Sequence, residues 1–251
     1  METKTIEWLQ SLKVKIYSDG ADLASIEQLP KYAFVKGVTT NPSLMRKAGV
    51  TDYEVFAREA LSLVKGLPIS FEVFADDLSS MEAQATYIAS WGTNVNVKIP
   101  VTNSKGEFCG PIIKRLVARG VHVNVTAIMT MRQIKQLLPC FSSDSRAILS
   151  VFAGRIADTG RDPIPLMKEI AALLTELPNV ELLWASTREI LNIFHAEDAG
   201  CDIITVSPDF LKKLNTLGKN LDDFSQETVL MFFKDATAVG YTIDLPVMEQ
   251  A

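Results

Sequence analysis

The sequence predicts an α/β protein of one domain, a (β/α)8 TIM barrel with an extra helix toward its C-terminal end. Three observations carry that expectation. Short apolar, β-branched runs recur about every two dozen residues, with amphipathic segments of helical period between them. Eight such runs fit within 251 residues, the number that closes a parallel barrel. The main rival, an open doubly wound sheet, usually carries a Gly-rich phosphate loop after its first strand. Here that stretch reads Asp19-Gly20-Ala21-Asp22.

In chain order the strand candidates are 14–18, 37–41, 69–74, 95–101, 121–128, 148–153, 180–186 and 203–207. Each is followed by a segment of helical pattern, such as 165–177 or 208–217. Ser207-Pro208 makes a good helix start, with serine as N-cap and proline in the first turn, and Gly218 makes a good stop. Asp22 falls at a helix start, where an acid favours the dipole. Beyond the eighth unit, 226–238 reads as one more helix carrying Val229, Leu230, Phe232 and Phe233. That apolar stripe needs cover, from the barrel or from a partner subunit in a homo-oligomer. No linker rich in Gly, Pro or Ser interrupts the chain, so 1–251 is read as one domain with 219–251 as a helical extension.

Composition narrows the function. Hydrophobic residues make up 47% and charged residues 22%, which argues against disorder. A net charge of -5 with no Lys/Arg-rich run gives no sign of nucleic-acid binding. Cys109, Cys140 and Cys201 are odd in number and scattered, so neither a disulfide framework nor a metal cluster is expected. No His/Cys/Asp set has ligand spacing. The opening Met1-Glu2-Thr3-Lys4 starts no long apolar stretch, so no membrane span is expected and a cytoplasmic location is.

Alternation then separates the faces. Val14 and Ile16, Phe71 and Val73, Val121, Val123 and Val125, and Leu149 and Val151 form the outward, helix-facing set. The opposite set ends in polar groups: Asp19, Thr39 and Asn41, Glu72, Lys98, Asn124 and Thr126, Ser150, and Ser186. Seven of the eight strands thus aim polar side chains at the C-terminal end, where barrel enzymes keep their active sites. Lys98 is the most telling of them. It interrupts the apolar strand Val95-Asn96-Val97-Lys98-Ile99-Pro100, and a lysine buried there is driven toward its neutral, nucleophilic form. A neutral amine can form a Schiff base with a carbonyl. His122 shares the Asn124 face lower in the barrel and reads as a hydrogen-bonded core imidazole, while His195 reads as a solvent-facing helix residue. Trp184 shares parity with Ser186 and reads as barrel packing.

Gly37-Val38-Thr39-Thr40-Asn41-Pro42-Ser43-Leu44 resembles the signature of the transaldolase family, and Val97-Lys98-Ile99-Pro100-Val101-Thr102 resembles the segment holding its Schiff-base lysine. Asn124-Val125-Thr126, the run from Ser150 to Ile156, and Ala185-Ser186-Thr187-Arg188 match further family motifs in order. The resemblance spans roughly Lys15 to Ser207. The family also holds smaller fructose-6-phosphate aldolase-like members. Glu72 in place of glutamine, Phe152, and Ser186-Thr187-Arg188 favour the transferase branch. Two departures stand out: Gly20 follows Asp19 where the family usually has a hydroxyl residue, and Val151 stands where it usually has proline.

The resemblance implies a cofactor-free enzyme acting on sugar phosphates, with Lys98 as the Schiff-base residue. It implies Glu72 as the acid/base of dehydration, through a water held by Thr126, and Asp19 as the base for the C4 hydroxyl. Thr39 and Phe152 would line the substrate site, and Asn41 and Asn124 would hold the three-carbon fragment. Arg155 and Arg188, with Ser150 and Ser186, would clamp the phosphate.

Overall fold

The structure is a computed structural model that describes residues 3–244. After helix α1 (Thr3–Ser11), strand and helix alternate: β1 (Lys15–Asp19), α2 (Leu23–Gln28), β2 (Val35–Thr39), α3 (Pro42–Lys47) and α4 (Tyr53–Leu63). Then come β3 (Ile69–Glu72), α5 (Leu78–Ala89), β4 (Val95–Pro100), α6 (Gly110–Ala118), β5 (Val123–Ile128) and α7 (Met131–Leu137). They are followed by β6 (Ala147–Val151), α8 (Ala153–Ala157), α9 (Ile164–Leu174), β7 (Val180–Trp184), α10 (Leu191–Asp198), β8 (Ile203–Val206) and α11 (Pro208–Lys213). The eight strands are parallel and close into a barrel in sequence order, β8 returning to pair with β1. This is the predicted (β/α)8 barrel.

Side-chain caps set many of the helix starts. Asp22, Asn41, Asp52 and Asp77 accept from Ser25 N (2.9 Å), Leu44 N (2.9 Å), Val55 N (3.0 Å) and Ser80 N (2.8 Å). Each satisfies a backbone donor that the first turn leaves unpaired. Asp22 has the dipole-favouring place the sequence suggested. Thr130 and Gln133 form a reciprocal capping box at α7. Among the described residues no helix is long and apolar enough to cross a membrane.

The outward faces pack against the helices. Phe71 meets Phe56, Tyr53 and Trp91 edge-on in one aromatic cluster. Inside the barrel Tyr17, Ile148, Leu183, Ala185 and Ile203 form a buried apolar cluster, with Phe152 packed against it. Gly37 makes room for it: a Cβ there would lie 2.5 Å from Tyr17 Cζ. The register shift between Ile16 and Tyr17 falls at this contact.

Three sequence expectations are corrected. Trp184 faces outward toward α10, its ring 6.3 Å from that of His195, which is half-buried rather than solvent-facing. The parity argument failed because Ser186 has a φ of 67°, a left-handed conformation that resets the alternation after β7. His122 is half-buried at the N-terminal end of β5 and makes no side-chain hydrogen bond among the described residues.

The chain divides into two compact units, Met1–Leu214 and Asn215–Ala251. The second contains α12 (Leu221–Val239), which covers the predicted 226–238. Asn220 caps it, Gly240 ends it with a φ of 75°, and Val229, Phe232 and Phe233 are exposed.

The exits of β6 and β7 touch backbone to backbone. A Cβ on Gly154 would lie 1.6 Å from the Ser186 carbonyl oxygen, so only glycine allows this approach. Gly154→Ala is expected to destabilise the barrel by about 3 kcal/mol or more, because backbone rather than a flexible side chain must give way. Thermal unfolding checks this; a loss under about 1 kcal/mol would mean that the two exits are free to separate.

Candidate active site

Register brings the charged groups together. Glu72 on β3 pairs with Lys98 on β4, which pairs in turn with Asn124 on β5. Asp19 pairs with Thr39 across β1 and β2. All five strands end at one mouth, around a cavity of about 390 Å3. Lys98, Glu72, Asp19, Thr39, Asn41 and Thr126 line it from β1 through β5, and Ser150, Phe152, Arg155 and Ser186 from the β6 and β7 exits.

Lys98 Nζ donates to Glu72 Oε1 (2.6 Å) and to the Thr40 carbonyl (2.5 Å), with both side chains buried. Thr40 Oγ1 lies 2.8 Å from the Ser70 carbonyl and 3.0 Å from Glu72 Oε2. One hydroxyl proton cannot serve both. When it bonds to Ser70, Glu72 Oε2 is best satisfied by carrying a proton of its own. The electrostatics run the same way. Burial pushes the Glu72 carboxyl above the usual carboxylate range, and Lys98 and Thr40 offset this only in part. The Tyr53 hydroxyl donates to the Glu72 carbonyl (3.0 Å) and anchors the strand end.

Asp19 accepts from Thr39 Oγ1 (2.8 Å) and Asn41 Nδ2 (3.4 Å). Burial raises its carboxyl as well, with Lys98, Thr39 and Asn41 opposing. Thr39 also bonds Thr205 Oγ1 (2.6 Å). The Thr126 hydroxyl is buried and lacks a partner among the described residues, although Thr126 lines the cavity. Ser150 donates to Asn124 Oδ1 (2.7 Å), which leaves its oxygen free to accept. The Arg155 guanidinium lies 5.1 Å from the centre of the Phe152 ring.

Two residues named from the sequence are not brought to the cavity wall. Asn124 is fully buried, held at both ends of its amide by Ser150 and by Ser70 Oγ (3.1 Å). Arg188 forms a two-point pair with Asp158, Nε to Oδ1 at 2.9 Å and Nη2 to Oδ2 at 2.5 Å. Conversely, Thr40, Ser70, Asp158 and Thr205 were not singled out from the sequence. Thr205 left a signal, a polar residue in the apolar run 203–207. Thr40 left none from alternation, because β2 stops at Thr39.

Residues 16–248 match the family described as Transaldolase/Fructose-6-phosphate aldolase. A probable transaldolase of Brucella ovis is 35% identical over 202 residues, which is 80% of this chain and 88% of that one. Probable transaldolases of Dehalococcoides mccartyi and Nitrosopumilus maritimus are 34% and 32% identical over 77% and 80% of this chain, covering 86% and 87% of theirs.

The raised Asp19 carboxyl has a consequence for stability. Folding favours its protonated form, so its contribution is fully present at acid pH and is lost as pH rises through the ordinary carboxylate range to its raised value. Asp19→Asn has no charge to lose. Its melting temperature relative to the parent should therefore be level at the acid end and climb with pH. A gap that narrows as pH rises would contradict the burial-driven shift.

Proposed function

The chain belongs to the Transaldolase/Fructose-6-phosphate aldolase family, and from that premise we propose that it moves a dihydroxyacetone unit from a ketose phosphate to an aldose phosphate through a Schiff base on Lys98. Sedoheptulose 7-phosphate or fructose 6-phosphate is the donor, which sets the reaction in the pentose phosphate pathway. The observation that carries this reading is the buried Lys98–Glu72 pair facing Asp19 across one cavity.

The amine needs its lone pair, and Glu72, 2.6 Å away and raised by burial, is the group to take the ammonium proton. Lys98 Nζ adds to the C2 carbonyl and gives a carbinolamine. Its hydroxyl leaves as water after receiving a proton from Glu72, relayed by a water that the unpartnered Thr126 hydroxyl can hold. The resulting iminium is the electron sink. Asp19 takes the C4 hydroxyl proton, the C3–C4 bond breaks, and its electrons enter the iminium to leave an enamine. The shortened aldose departs. The enamine then attacks the acceptor aldehyde, Asp19 returns its proton, and hydrolysis frees Lys98. Asn41 and the accepting oxygen of Ser150 suit the hydroxyls of the three-carbon fragment. Arg155 with Ser186 suits the phosphate. Arg188 can join them by exchanging Asp158 for the phosphate.

Borohydride reduction in the presence of fructose 6-phosphate should leave a three-carbon adduct on Lys98, located by peptide mass mapping. Erythrose 4-phosphate supplied first should discharge it. Lys98→Met should lose at least about 10^4-fold in turnover. Rapid cleavage of fructose 6-phosphate with no acceptor aldehyde would assign the aldolase reaction instead. Absence of any adduct on Lys98 would remove the Schiff base.

A further inference from the structure

The opposite mouth of the barrel holds a second polar cavity, of about 410 Å3. It is lined at the N-terminal ends of the strands by Lys15 and Tyr17 of β1, Asn96 of β4, His122 before β5, Arg146 before β6 and Glu181 of β7. Alternation explains the set. Lys15, Asn96 and Glu181 each lie two residues or more below an inward-facing member of their own strand, and His122 and Arg146 lie two below Asn124 and Ile148.

The hydrogen-bonding balance of this cavity is one-sided. Glu181 is committed to Lys15, with which it forms an ion pair. Asn94 and Asn179 spend their amides on the carbonyls of Leu67 (2.8 Å) and Ser143 (2.9 Å). Besides the Thr93 hydroxyl, four groups have no partner among the described residues: the Arg146 guanidinium, the Tyr17 hydroxyl, and the side chains of Asn96 and His122. All four can donate, and none carries negative charge. The Tyr17 ring is buried, at 3% exposure, and its residue lines the cavity with a hydroxyl that has no partner among the described residues. Gly37 lets the ring reach this position. Burial and the nearby Arg146 both hold the His122 imidazole toward its neutral form. With Lys15 and Glu181 cancelling, the lining keeps one permanent positive charge, that of Arg146.

We propose that this N-terminal cavity is a second ligand site, which binds a small phosphate or phosphomonoester anion through Arg146, Tyr17, Asn96 and His122. The charge-assisted bonds come from Arg146, the residue suited to two-point contact with a phosphate. Tyr17, Asn96 and His122 supply neutral donors around it. Tyr17 and Ile148 form the wall on the Lys98 side and belong to the same apolar cluster as Leu183, which lines the upper cavity. The two cavities are therefore separate sites with a packed floor in common.

The chain has 2 histidines, which gives a direct readout. Inorganic phosphate and glycerol 3-phosphate are titrated into the full chain at constant ionic strength, and the two imidazole proton signals are followed by NMR. The His122 signal should move saturably with at least one of the probes. The His195 signal, on α10 against Trp184, should stay in place. In Arg146→Gln the apparent affinity should fall about tenfold or more. Arg146 is exposed, so this variant should keep the parent's melting temperature. The proposal is overturned if neither probe moves His122, if chloride moves it equally, or if Arg146→Gln leaves the titration unchanged. The readout is independent of any reaction at Lys98, so it stands apart from the transfer mechanism.

Discussion

A lysine and a glutamate buried side by side on neighbouring strands are the constraint around which the upper half of the barrel is arranged. Neither can be removed alone without leaving an uncompensated charge out of water, which typically costs about 3–5 kcal/mol. Their separation of 2.6 Å follows from the β3–β4 register, which sets Glu72 directly beside Lys98. A slip of one residue would turn one of the two side chains toward the helices and break the pair. The pair is thus a lock on strand register as well as the proposed reactive centre. Thr40 completes it by accepting from Lys98 through its carbonyl and bridging Ser70 and Glu72 with its hydroxyl.

That lock has a cost, visible in the direction of the carboxyl shifts. Glu72 and Asp19 are both raised by burial in spite of a nearby cation and several hydrogen bonds. A barrel selected for stability alone would fill these positions with apolar groups. Keeping two raised carboxyls beside one amine makes proton exchange within the cluster easy. It also sets the two acids in different surroundings, one bonded to the amine and one to Thr39 and Asn41, which suits separate tasks.

The fold was legible because its signal is periodic and local. Eight apolar runs, their spacing and their alternation require no knowledge of tertiary contacts. The groups at Asp19, Glu72 and Lys98 were legible for the same reason, since β1, β3 and β4 alternate without interruption up to those residues. Legibility failed where alternation was broken or where a partner lay far along the chain. The left-handed Ser186 reversed the reading of Trp184. Thr40 lies just past the end of β2, so no face could be assigned to it. The engagement of Arg188 by Asp158 joins positions 30 apart in sequence, and neither local pattern contains the other. Asn124 was read correctly as inward, but its amide is saturated by Ser70 and Ser150, a fact of packing that no strand pattern encodes.

The two ends of the barrel follow one charge logic with different results. The upper cavity is lined by the Lys98–Glu72 pair, by the permanent cation Arg155 and by the Asp19 carboxyl. Lys98 is bound to Glu72, so Arg155 is left to face Asp19 across the mouth, and the balance is near zero when Asp19 is ionised. An anion entering there is favoured on the β6–β7 side, near Arg155, and disfavoured near β1. A substrate with a carbonyl at one end and a phosphate at the other is thereby oriented before any specific hydrogen bond forms. The lower cavity is lined by two permanent cations, Lys15 and Arg146, and by one carboxylate, Glu181. Arg146 is the lining cation that Glu181 does not pair with, so the phosphate end of a ligand is favoured on the Arg146 side. The chain as a whole carries a net charge of -5, so a local excess of positive charge stands out from its average. Against that background the proposed transfer reaction uses the upper mouth to orient an extended substrate, and the proposed lower site uses Arg146 to hold a phosphate.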